Sequence, residues 1–69
     1  MNFVSVSSSD LSQVGYNPQT HELTVIFHSG GVYTYSGVLP QEYSGLINAG
    51  SVGRYFHAYI KQHQFRHGY

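Results

Sequence analysis

Apolar and polar residues alternate most regularly between Glu22 and Tyr35. Leu23, Val25 and Phe27 interleave with Glu22, Thr24, Ile26 and His28; Ser29-Gly30-Gly31 breaks the run, and Val32-Tyr33-Thr34-Tyr35 resumes it. A period of two in β-branched and aromatic residues, broken by glycines, predicts a half-buried β-hairpin. Loop length then decides which face each tyrosine joins. A two-residue loop places Tyr33 and Tyr35 on the face away from Leu23, Val25 and Phe27. A three-residue loop changes the parity and puts all five on one face. The second arrangement is the one adopted, because it gathers five large residues on a core-facing surface and suits a left-handed glycine at Gly30 or Gly31.

The hairpin has neighbours on both sides. Phe3 to Ser7 alternates as a short first strand, and Ser7-Ser8-Ser9-Asp10 is a polar connection. Leu11 to Tyr16 reads as a second strand, with Gly15 at a place suited to a bulge or a close backbone approach. Asn17-Pro18-Gln19-Thr20 is a turn, since proline presets φ and an asparagine side chain can bond the backbone two residues on. Beyond Gly37 the period lengthens. Leu39, Tyr43, Leu46 and Ile47 share a helical stripe with Pro40 in the first turn, and Asn48-Ala49-Gly50 ends it. Ser51 is placed to cap a second helix running to about Gln64, with Val52, Phe56, Tyr59 and Ile60 on its apolar side. Residues 65–69 read as a frayed tail.

Strands followed by helices predict an α+β fold, a small antiparallel sheet of about four strands with two short helices packed on one face. The 69 residues make one domain, 1–69, with no repeat or linker. A chain this short buries only roughly 60% of its unfolded surface. It has no cysteine for disulfides or thiolate metal sites, so seven Tyr, four Phe and the aliphatic residues must supply the core. No apolar run approaches a membrane span and no signal pattern opens the chain, so the expectation is a cytoplasmic protein without membrane attachment.

Charge adds a polarity to this picture. Asp10, Glu22 and Glu42 are the only acids, and Arg54, Lys61 and Arg66 the only Lys or Arg residues, all later in the chain. Arg54, His57 and Lys61 fall at helical spacing, extended by Arg66, and such a stripe can neutralise phosphates. Its alternative is a solvated helix face. Tyr33 and Tyr35 can stack on unpaired bases or pack beneath the helices, and Tyr55 is a third candidate ring. Burial of both hairpin rings would count against stacking there. His57, His63 and His67 lack companion ligands for a metal, although His63 and His67 have helical spacing. No nucleophile elbow, phosphate loop or carboxylate pair is present, which argues against an enzyme.

The ordered series Val14-Gly15-Tyr16-Asn17, Leu23-x-Val25-x-Phe27, Gly30, Tyr33-Thr34-Tyr35, Val38-Leu39-Pro40 and Ala49-Gly50-Ser51-Val52-Gly53-Arg54-Tyr55-Phe56 resembles the KTSC domain. This small module is named for its place at the C-terminus of some lysyl-tRNA synthetases, and it also occurs as free-standing bacterial and phage proteins. The resemblance covers about residues 4 to 65; it implies no established function, and RNA binding is suggested in part by the synthetase context. Two function classes therefore stand as expectations. One is a non-enzymatic binding module, without a cofactor, for RNA or another phosphate-bearing, nucleotide-like ligand, using Arg54, His57, Lys61, Arg66, Tyr33, Tyr35 and Tyr55. The other is a protein-interaction module that binds a protein partner or forms a homo-oligomer.

Overall fold

The computed structural model describes residues 2–68. Strands β1 (Phe3–Ser5), β2 (Leu11–Asn17), β3 (Glu22–Phe27) and β4 (Val32–Tyr35) lead into helices α1 (Pro40–Ile47) and α2 (Val52–Tyr55). A π-helical turn over Phe56–Ile60 continues α2, and β5 (Phe65–His67) closes the sequence of elements. Each strand pairs antiparallel with its chain neighbour, giving a five-stranded sheet ordered β1-β2-β3-β4-β5. The fold is α+β with two helices, and the sheet has one strand more than the sequence pattern predicts. The segment read as a frayed tail supplies it: Phe65 pairs with Tyr35 and His67 with Tyr33. Three residues of alternation at a chain end are too few to tell a strand from a tail.

The hairpin loop has three residues. Phe27 N–H donates to the Gly31 carbonyl and Gly30 N–H to the Phe27 carbonyl, both at 2.9 Å. These bonds enclose His28-Ser29-Gly30, one residue earlier than the glycine pair suggests, and Gly30 takes the left-handed conformation at φ 99°. Parity is unchanged by that shift. Leu23 faces Tyr35 and Val25 faces Tyr33 across the ladder, so the tyrosines share the face of Leu23, Val25 and Phe27. The β2–β3 turn forms as its residues dictate, Asn17 Oδ1 accepting from Gln19 N–H at 2.9 Å. The irregularity in β2 lies between Leu11 and Gln13, whereas Gly15 is regularly paired with Phe3 and Thr24. The displaced bulge has a use: it keeps Leu11 on the same face as Val14 despite their odd spacing.

The helices cover that face. Leu11, Val14, Leu23, Val25 and Tyr35 of the sheet bury against Val38, Leu46, Val52, Phe56 and Ile60. Phe56 is the keystone, packing edge-on to Phe27 at 5.6 Å and to Tyr35 at 5.3 Å between ring centroids. Ser51 caps α2 by accepting from Arg54 N–H. The regular helix stops well short of Gln64, however, because Lys61 N–H bonds the Phe56 carbonyl five residues back. This widened turn leaves Tyr59 exposed where a continuous helical stripe would bury it, while Phe56 and Ile60 stay inside. On α1 only Leu46 is fully buried; Leu39 and Ile47 are exposed. Gly45, unfavourable to a helix in isolation, is required by packing, since a Cβ there would run into the Tyr55 ring.

Polar contacts fasten the far ends. The Glu42 carboxylate accepts from Leu39 N–H at 3.0 Å and meets His63 Nε2 at 3.1 Å, tying the start of α1 to the segment before β5. Partial burial pushes the Glu42 carboxyl up, but the Leu39 bond together with the His63 bond and charge outweighs it and leaves the group below its ordinary value of 4.5. A carboxyl lowered by folding stabilises the native state above its unfolded pKa, and that stabilisation drains as pH falls through the folded one. Stability measured by urea unfolding is therefore expected to drop between about pH 6 and about pH 3.5, by less in Glu42→Gln than in the parent. Equal drops would show that the pair contributes nothing.

Candidate functional site

Where the hairpin, β5 and the π turn meet, five rings line an open pocket of about 400 Å³. Phe27 and Phe56 approach from β3 and the π turn, Tyr33 and Tyr35 from β4, and Phe65 from β5. Most neighbouring rings stand steeply to one another. Phe27 meets Tyr33 at 84° and Phe56 at 76°, and Tyr35 meets Phe56 at 81°. Edge-to-face contacts of this kind hold rings rigidly and leave faces and edges lining one cavity. Ser29, His57 and Lys61 add the polar lining.

The period-two pattern of β4 aims both tyrosines here, and the π turn brings in the cation. Because Lys61 N–H bonds the Phe56 carbonyl, Lys61 stands over the Phe56 side of the turn and both residues line one pocket. Lys61 is exposed and has no carboxylate partner among the described residues. His57 is half exposed, with Nε2 3.6 Å from Asp10 Oδ2. Burial, and to a lesser degree the neighbouring Tyr33, raises the Tyr35 hydroxyl above its usual value, so it stays a neutral hydrogen-bonding group.

Of the seven residues read from the sequence as ligand-binding candidates, the structure gathers Tyr33, Tyr35, His57 and Lys61 around this pocket. Tyr35 is 5% exposed and Tyr33 partly so, which makes them walls of a cavity and not an open stacking platform. Tyr55 lies elsewhere, against Tyr59 at 4.6 Å and beside Gly45. Arg54 is exposed on α2 away from the pocket lining. Arg66 departs furthest from the basic stripe: as part of β5 it points to the opposite side of the sheet from Phe65 and His67, and its Nη1 binds Glu22 Oε2 at 2.8 Å. That hydrogen bond is the main reason the Glu22 carboxyl is lowered.

The histidines are dispersed as well. His57 neighbours Asp10, His63 binds Glu42, and the His67 ring lies 4.5 Å from that of Tyr33. His63 sits in a turn and His67 in β5, so their four-residue spacing does not place them on one helical face. Among the described residues no group of three His, Cys, Asp or Glu is placed to hold a metal ion. The pocket residues that sequence reasoning missed are Phe27, Ser29, Phe56 and Phe65. Phe27 and Phe56 read as core, which they also are, while Phe65 is hidden by the unrecognised fifth strand.

The model of the KTSC domain matches residues 7–65. The chain belongs to the KTSC domain family. The crystal structure of a KTSC domain protein from Yersinia pestis superposes with a TM-score of 0.93 at 32% identity, covering 99% of this chain and 97% of that one. An uncharacterized protein of Stutzerimonas stutzeri is 37% identical over 97% of this KTSC domain and 94% of its own length. A lysine–tRNA ligase of Nostoc punctiforme is 42% identical over 77% of this chain, yet the match occupies only 9% of the ligase. The KTSC domain is thus related to one small region of that enzyme. No helix among the described residues is long and apolar enough to cross a membrane.

Proposed function

We propose that this KTSC domain is a binding module that works by contact, without chemistry of its own, and takes a phosphate-bearing ligand with RNA as the leading case. The observation that carries this reading is the junction of an aromatic pocket with Lys61, a cation without an ion-pair partner among the described residues. A ring wall offers a base an apolar contact with ring edges and faces. A lysine at the rim offers a phosphate a point charge. The relation to a lysine–tRNA ligase supports a nucleic-acid ligand, since that enzyme's name includes tRNA.

Titration of labelled single-stranded RNA at two salt concentrations tests the reading. Binding is expected at low salt, with log K falling against log salt by about 0.7 per phosphate neutralised. No binding at low salt would end it. A second reading, association with another protein chain, is favoured by the exposure of Leu39, Ile47 and Tyr59 on the helical side. Sedimentation of the same sample without RNA separates the two: a monomer at every concentration removes self-association.

A further inference from the structure

We propose that the pocket accepts one nucleotide and no more, its base among the rings and its phosphate on Lys61, so that recognition stops at a single unit. The inference rests on the reading of the pocket as a phosphate-ligand site and narrows it. Three observations carry it. The cavity, about 400 Å³, lies near the lower end of the roughly 300–1,000 Å³ typical of small-molecule sites. That is room for one heterocycle with its sugar. The rings also stand at 76° to 84° to one another along Phe56, Phe27 and Tyr33, so they pack on one another and offer no row of parallel faces for successive bases. An extended stacking surface would need ring faces exposed side by side.

Charge sets the same limit. Proteins that track a nucleic-acid strand repeat cations along a groove, and each contacted phosphate adds to affinity. Here Arg66 is held by Glu22 on the other face of the sheet, and Arg54 lies outside the pocket lining. Lys61 is left as the one permanent cation at the rim among the described residues. His57 beside it has Asp10 within 3.6 Å, which offsets whatever positive charge the imidazole carries. A second or third phosphate would find no partner there. The ligand is then a nucleotide, free in solution or unpaired at the end or in a loop of an RNA strand.

The test is a length series. Adenosine, adenosine monophosphate and oligoadenylates of two, four and eight residues are titrated against the full chain at low salt, following the tyrosine fluorescence. Expected are binding of the monophosphate, adenosine weaker on the order of tenfold, and oligonucleotide affinities, counted per nucleotide, within about threefold of the monophosphate. Lys61→Ala should bring the monophosphate to the level of adenosine, Phe65→Ala should weaken every ligand, and Arg54→Ala should change nothing. Lys61 and Phe65 are exposed, so both variants are expected to fold, with circular dichroism as the check. A rise of tenfold or more per nucleotide from monophosphate to eight-mer would overturn the single-unit limit while leaving RNA binding intact. Binding of the monophosphate but of no oligonucleotide would uphold the limit and make the free nucleotide the source. Binding untouched by Lys61→Ala and Phe65→Ala would overturn the site. Failure of every ligand would remove the underlying reading as well.

Discussion

Phe56→Ala is expected to leave most of the chain unfolded in water at room temperature. Phe56 is 2% exposed and joins the helical layer to the sheet through both Phe27 and Tyr35. Truncating a buried phenylalanine costs about 3–5 kcal/mol, the lost transfer energy plus the cavity left behind. A single core in a domain of this size supplies rarely more than about 3–5 kcal/mol in total. The two quantities are comparable, and no disulfide is present to make up the difference. Urea titration followed by circular dichroism should show the parent unfolding cooperatively and the variant with little or no folded baseline. A midpoint equal to the parent's would contradict the central place given to this ring.

The next largest effect is expected from an asymmetry on the other side of the sheet. Thr24 and Thr34 are both fully buried, and their hydroxyl oxygens are 2.7 Å apart. A hydroxyl has one hydrogen, and that of Thr34 goes to the Gly68 carbonyl at 2.7 Å. Thr24 must therefore donate to Thr34, which fixes the direction of the chain as Thr24 to Thr34 to Gly68. Thr34→Val removes the middle link and strands a donor and an acceptor together, at a cost of about 1–3 kcal/mol. Thr24→Val removes only the first link, and Thr34 keeps its bond to Gly68, so the loss should be about 1 kcal/mol or less. Urea unfolding of both variants checks the order. An equal or larger loss in Thr24→Val would mean the bonds run differently.

The sequence exposes much of this architecture because its signals were local. The alternation in Glu22 to Tyr35, the Asx turn at Asn17 and the cap at Ser51 each involve groups within a few residues, and each forms as its chemistry requires. What escaped depends on contacts between distant residues. β5 exists because Phe65 and His67 can pair with a strand some thirty positions earlier, a long-range reward that three residues cannot announce. For the same reason Arg66, read as a tail residue that extends the basic stripe, is found in β5 and turned to Glu22. Periodicity brought Tyr33 and Tyr35 to the right face but could not say that Phe56 and Phe65 would box them in. The pocket is legible only once β5 and the π turn are both in place.

That turn makes the winding of the helix, as well as side-chain identity, a determinant of what overlooks the rings. Every residue of an ordinary helix advances the direction of its side chain by about 100°. Wound as an ordinary helix with no residue lost, the five steps from Phe56 to Lys61 would carry the cation about 140° around the axis and away from the cavity, with no residue of the sheet altered. The wide turn is thus what lets a residue five positions on, and not four, stand beside Phe56 at the rim.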